Sequence, residues 1–160
     1  MPVVVDATSC TFGLVHEVEP YLEGPAVAQH RALRILDSIQ WASEVLLPRL
    51  EVRQRVGSAV IHATCAGTHL GLGGALADVA GALADEVTVP VYGTCCGFAG
   101  DRGMLHPELP DGAGAEQAAE LAGQEFDAYL CSNRTCELGM TRAIGRDYAS
   151  FLFLLESTTR

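Results

Sequence analysis

Four times along this chain a short, largely apolar run ends in a turn that carries cysteine. Pro2–Asp6 leads to Cys10, Ser58–Ala63 to Cys65, Glu86–Tyr92 to the adjacent Cys95 and Cys96, and Tyr129–Cys131 to Cys136. Runs of this kind read as strands buried on both faces, the habit of parallel sheets. Helical patterns stand between them, and strands alternating with helices build a parallel sheet. Loops at the carboxyl ends of parallel strands open on one edge of the sheet, so cysteines far apart in sequence become neighbours. The expected fold is therefore α/β: a mainly parallel sheet flanked by helices, with the cysteine-bearing loops gathered at the carboxyl ends of the strands.

The remaining elements follow from periodicity and punctuation. Phe12, Val15, Val18 and Leu22 recur at helical steps, broken near Pro20. Arg34–Asp37 reads as a brief strand, after which Asp37 or Ser38 caps a helix over Ile39, Ala42, Val45 and Leu46 that stops at Pro48. Leu70 to Leu83, Ala115 to Gln124 and Leu138 to Ile144 carry helical patterns, with Asn133 to Cys136 a turn. Residues 23 to 30 read as a loop, and the glycine- and proline-rich stretch Phe98 to Gly114 as a long one. Phe151, Leu152, Leu154 and Leu155 read as core packing.

Composition narrows the partners. A chain of 160 residues, 49% hydrophobic and 19% charged, fits one packed domain. Its net charge of −10 repels phosphate backbones and anionic headgroups, so nucleic acid is excluded as an expected partner. No apolar run reaches the roughly 20 residues a membrane span needs, and the start lacks a basic n-region, so a cytoplasmic setting is expected. In a reducing compartment six cysteines point to metal ligation or redox chemistry rather than structural disulfides.

Thiolates suit soft or borderline metals, which selects zinc or iron–sulfur centres over magnesium. The spacing matches neither a ferredoxin run nor the paired knuckles of a zinc ribbon. Cys65 and Cys136 each precede a helix, whose N-terminus is expected to favour the thiolate. Gly97, Gly100 and Gly103 are expected to let backbone approach a centre closely. His62, His69 and His106 are candidates to orient a ligand, with capping or loop roles as the alternative. Asp101 and Arg102 read either as a surface ion pair or, for Arg102, as a charge near the centre. No catalytic acid or base is assigned.

His62-Ala-Thr-Cys65, the block Cys95-Cys-Gly-Phe-Ala-Gly-Asp-Arg-Gly103 and Ser132-Asn-Arg-Thr-Cys-Glu137 together resemble the cysteine-rich CCG domain. That family spans heterodisulfide reductases, the iron–sulfur component of glycolate oxidase and FAD-linked D-lactate dehydrogenases. The resemblance covers most of the chain. It implies an iron–sulfur cluster on Cys65, Cys95, Cys96 and Cys136, with Gly97, Gly100 and Asn133 near it and Cys10, Cys131 and His62 as weaker ligands. Asn133 stands where the heterodisulfide reductase branch has the first cysteine of its final pair, a departure similar to the glycolate oxidase and lactate dehydrogenase branch. A smaller cluster, zinc or an empty site is the alternative that this departure leaves open.

Aligning Cys10 with Cys136 also matches Ser9 with Thr135, Gly13 with Gly139 and Leu14 with Met140, an internal half repeat. Residues 1–57 are accordingly read as the tail of a preceding, mostly missing module plus connecting helices, and residues 58–160 as the CCG module, the two forming one unit. The resemblance then implies the electron-transfer end of an FAD-linked D-2-hydroxyacid dehydrogenase, acting on D-lactate or glycolate. Upstream FAD and iron–sulfur domains are its implied partners, and a quinone or similar acceptor its outlet. Such a protein sits in the cytoplasm or on the cytoplasmic membrane face. The isolated fragment is not expected to be catalytically competent, and a truncated apolar surface could pair two copies. A structural zinc-binding interaction module and a thiol–disulfide domain built on the vicinal pair Cys95–Cys96 are the readings from other classes.

Overall fold

The computed structural model describes residues 1–93 and 95–160. Two parallel sheets organise it. In the smaller, β1 (Val3–Val5) pairs with β2 (Ile35–Asp37). The larger has β3 (Val56–Ile61), β4 (Ala84–Thr88), β5 (Ala128–Cys131) and β6 (Ala149–Ser150) in the order β4-β3-β5-β6, each neighbouring pair parallel. The fold is α/β with a mainly parallel sheet flanked by helices, as the alternation of runs and periodic segments predicts.

Alternation along the strands splits the larger sheet between two cores. Ala59, Ile61 and Leu130 face α3 (Ser38–Trp41), α5 (Gly73–Leu83) and α9 (Phe151–Thr159), burying Ile39, Leu76, Val79, Leu83, Phe151 and Leu155. Val60, Tyr129 and Cys131 face the other way, among Phe98, Leu121, Cys136, Met140 and Tyr148. Helices α7 (Glu108–Glu120) and α8 (Arg134–Ile144) cover this second face. They pack so closely that a Cβ on Gly114 would fall 2.5 Å from the Ala143 Cβ.

Several elements depart from the sequence reading. The expected long loop from Phe98 to Gly114 contains α6 (Arg102–Leu105) and the first half of α7. Pro110 is harmless there because it lies in the first turn, where backbone N–H groups have no intrahelical partner. Residues 23 to 30 are not a loop; Pro25 opens α2 (Pro25–Arg31), the helical position where proline fits best. The helix expected from Phe12 starts earlier, as α1 (Thr8–Phe12), and winds on through Gly13–Glu17. Strand β4 ends at Thr88 rather than Tyr92, because the Val91 and Tyr92 N–H groups donate to the Glu120 carboxylate at 2.9 and 3.0 Å instead of to a strand.

The half repeat is geometrical as well as sequential. β1, a two-residue turn and α1 match β5, a two-residue turn and α8, with Cys10 and Cys136 each the third helical residue. Val5 pairs with Asp37 and Cys131 with Ser150, so both units keep the same register to the next strand. Asp37 then accepts a bond from the Ile39 N–H at 2.9 Å, and Ser150 one from the Leu152 N–H at 3.3 Å, so each opens the following helix with a side-chain cap. The two turns touch: the Thr8 hydroxyl donates to the Ser132 hydroxyl at 2.8 Å.

Candidate functional site

Strand order fixes the site. From β3 the chain moves outward one way to β4, and from β5 the other way to β6, so the direction reverses between β3 and β5. A crevice outside the carboxyl ends of strands at such a reversal is the usual ligand position in open α/β sheets. Here a cavity of about 510 Å³ opens there, and its lining includes Cys65, Cys95, Cys96, Gly97, Asn133 and Cys136.

Each cysteine arrives by a different device. The Thr64 hydroxyl caps α4 (Cys65–His69) by accepting from the Gly67 N–H at 3.0 Å, which sets Cys65 as the first helical residue with its side chain exposed. Gly97 and Gly100 take left-handed backbone, φ +71° and +77°, and Ala99 between them does so at +45°. That fold-back brings Cys96 over α8. A Cβ on Gly97 would meet the Leu109 carbonyl oxygen at 2.5 Å, and one on Gly139 the Cys96 carbonyl oxygen at 2.8 Å, so both glycines are needed for the approach. Cys96 is buried as a result, with its sulfur 2.8 Å from that of Cys136.

Asn133 does not use its side chain to cap α8. Its amide instead donates to the Cys136 sulfur at 3.5 Å and to Thr135, and its oxygen accepts from the Ser9 hydroxyl at 3.2 Å. The position where the resembled branch has cysteine thus presents an amide to a thiol in the same cavity. Gly100 lines the cavity as well.

Cys65, Cys96 and Cys136 are all pushed above the ordinary thiol pKa, contrary to the expectation from helix N-termini for Cys65 and Cys136. Burial, reinforced by Cys95, pushes the Cys65 thiol up. Its bond to Cys136, then burial, pushes Cys96 up. The neighbouring Cys131 thiol, with burial, pushes Cys136 up to about 12 against the opposing bond from Cys96. The neighbouring thiols at Cys96 and Cys136, and burial at Cys65, outweigh the helix ends here, because the sulfurs sit among one another and among apolar side chains. Among the described residues no three His, Cys, Asp or Glu side chains sit close enough together to hold one metal ion. The thiols ring the cavity rather than converge on a point.

The other candidates lie elsewhere. Cys10 is exposed and outside the cavity lining, although its neighbour Ser9 is part of it. Cys131 is fully buried beneath α8 on β5, its thiol 3.8 Å from the Asn133 carbonyl oxygen. His62 is buried too; its Nδ1 pairs with Gln117 Oε1 at 2.8 Å, and Gln117 in turn donates to the Tyr148 hydroxyl at 3.4 Å. Burial holds His62 below the ordinary imidazole pKa, and its Nε2 has no partner among the described residues. His69 packs against the Phe12 ring, and His106 pairs with Glu108 at 3.1 Å. Asp101 and Arg102 form no ion pair among the described residues, and Gly103 lies under Phe98 rather than in the cavity. Leu109 and Ala113, one turn apart on α7, form an apolar wall that sequence reading misses because their helix is read as a loop.

No protein-family model, curated protein or solved structure matches the chain. No helix among the described residues is long and apolar enough to cross a membrane.

Proposed function

We propose that this domain holds an iron–sulfur centre in the thiol-lined cavity and relays electrons for a larger oxidoreductase. The observation that carries the reading is that Cys65 at the start of α4, Cys95 and Cys96 in one loop, and Cys136 in the first turn of α8 line one cavity at the sheet's reversal point. The donor set fits such a group: four thiols and an amide, with an apolar wall and backbone N–H groups near the sulfurs. Gly97 N–H already donates to the Cys95 sulfur at 3.3 Å. Thiols spread around a cavity suit a many-atom cluster better than a single zinc ion, which needs its ligands about 2.3 Å from one point.

When bound, such a centre takes up and releases single electrons. The chain's own residues position thiols, exclude water through Leu109 and Ala113, and give a hydrogen bond to one sulfur from Asn133. The resemblance to the CCG domain supplies the wider setting: an FAD-bearing partner region that oxidises a D-2-hydroxyacid such as D-lactate or glycolate, and a quinone or similar acceptor. The half repeat supports a partner region on the β1 side. β2 occupies one edge of β1, Val3 and Val4 are 41% and 40% exposed, and Cys10 stands where Cys136 stands in the complete unit.

Reconstitution with ferrous iron and sulfide under nitrogen, followed by iron and acid-labile sulfide assay, tests the reading. Iron and sulfide bound together in comparable amounts support it. Zinc bound one per chain in preference to iron, or no iron at all, overturns it.

A further inference from the structure

Two of the four cavity thiols are placed for a bond to each other. The Cys96 and Cys136 sulfurs lie 2.8 Å apart, inside the ~3.5–4.0 Å of ordinary non-bonded heavy-atom contact. The approach belongs to the backbone and not only to side-chain rotation. Gly139, one turn beyond Cys136 on α8, lets the Cys96 backbone rest directly on the helix, and Gly97 locks the same loop against α7. Cys95 faces away from this contact: it is exposed, and its sulfur accepts from the Gly97 N–H.

We infer that Cys96 and Cys136 form a reversible disulfide when a small oxidant enters the cavity, a pairing across the fold rather than within the vicinal Cys95–Cys96 pair. Both residues line the cavity, which gives a hydroperoxide a way in although neither residue is exposed at the surface. The Cys136 thiol gives up its proton, and the thiolate attacks the outer peroxide oxygen as the O–O bond breaks. The alcohol, or water from hydrogen peroxide, leaves with the thiol proton, and Cys136 becomes a sulfenic acid. The Cys96 sulfur then attacks the Cys136 sulfur; the S–S bond forms, the S–O bond breaks, and hydroxide leaves as water with the Cys96 proton. Two thiols lose two electrons, and the hydroperoxide accepts them.

The bond joins the 95–100 loop to α8 across 40 positions of sequence. It leaves only Cys65 and Cys95 as free thiols in the cavity, so oxidised protein cannot offer four sulfurs to a metal. That consequence rests on the iron–sulfur reading; the cross-link itself needs no metal and stands without it.

The test uses the full chain, reduced and stripped of metal by a chelator, then treated with one equivalent of hydrogen peroxide and alkylated. Peptide mass spectrometry is expected to find Cys96 joined to Cys136 with the loss of two hydrogens, and the other four cysteines alkylated. The melting temperature is expected to rise by roughly 10 °C, because the link shortens the unfolded chain's free loop. Cys95→Ser retains the cross-link, and Cys96→Ser abolishes it. A Cys95–Cys96 or Cys131–Cys136 bond, or alkylation of Cys96 and Cys136 after oxidation, overturns the inference. Recovery of six thiols on reduction, with the cross-link seen but iron uptake unchanged in the oxidised form, overturns the iron–sulfur reading and leaves the disulfide standing.

Discussion

The same local unit occurs at both ends of the chain, and only one copy makes a site. β1–α1–β2 and β5–α8–β6 share a strand, a two-residue turn, a cysteine as third helical residue, one register and a capped helix after the second strand. Cys136 is buried against Cys96 and lines the cavity, whereas Cys10 is exposed and outside that lining. The difference lies in the neighbours. β5 has β3 beside it, bringing Cys65, and the 95–100 loop folded over its helix; β1 has β2 alone. A cysteine turn alone therefore makes no cavity; the thiol-lined opening belongs to the assembly of strand ends around it.

The largest effect expected from this contrast is on pH dependence. Cys65, Cys96 and Cys136 are all pushed up, so each must give up a proton to ligate a metal. Affinity of the reduced, metal-free protein for Co²⁺, used as a coloured probe, is expected to rise about tenfold per pH unit for each thiol proton released, between about pH 6 and pH 8. A flat profile would show that the cavity thiols take no part.

Gly13 and Gly139 occupy equivalent places, yet their surroundings differ. A Cβ on Gly139 would press on the Cys96 carbonyl oxygen at 2.8 Å, while one on Gly13 meets only the Glu17 carboxylate at 3.7 Å. Gly139→Ala is expected to cost about 1–3 kcal/mol in urea denaturation. Gly13→Ala is expected to be neutral or to stabilise by up to about 1 kcal/mol, as alanine does within a helix. Equal effects would remove the packing difference on which the contrast rests.

A smaller difference is expected at the two caps. Asp37 is buried and accepts from both the Ile39 N–H and the Thr11 hydroxyl, the latter at 2.7 Å, whereas Ser150 caps through one longer bond. Asp37→Ala is expected to lower stability by about 1–2 kcal/mol and Ser150→Ala by about 0.5–1 kcal/mol, read from denaturation midpoints. The reverse order would mean that α9, not α3, depends more on its cap.

Much of this architecture is legible in the sequence because buried parallel strands write themselves as apolar runs. β1, β2 and β5 fall within a residue or so of their predicted spans, and the gathering of Cys65, Cys95, Cys96 and Cys136 around one opening follows from the order β3, β4, β5 of the strands that precede them, even though β4 ends early. The losses have physical causes. Pro110, Gly112 and Gly114 make α7 look like a loop, but Pro110 sits in the first turn and Gly114 is demanded by Ala143 across the helix pair. Cys131 looks like a spare ligand in sequence; only the parity of β5, which sends it under α8 beside Tyr148, takes it out of the cavity. The raised thiols could not be read from position alone, since a helix N-terminus and burial act in opposite directions and only the packing shows which prevails.

The most direct measurement compares iron content after anaerobic reconstitution in Cys10→Ser and Cys136→Ser, each checked for folding by circular dichroism. Cys10→Ser is predicted to bind iron and sulfide as the unaltered chain does, while Cys136→Ser loses most of both. Equal iron content in the two variants would contradict the assignment of the centre to the cavity between β3 and β5.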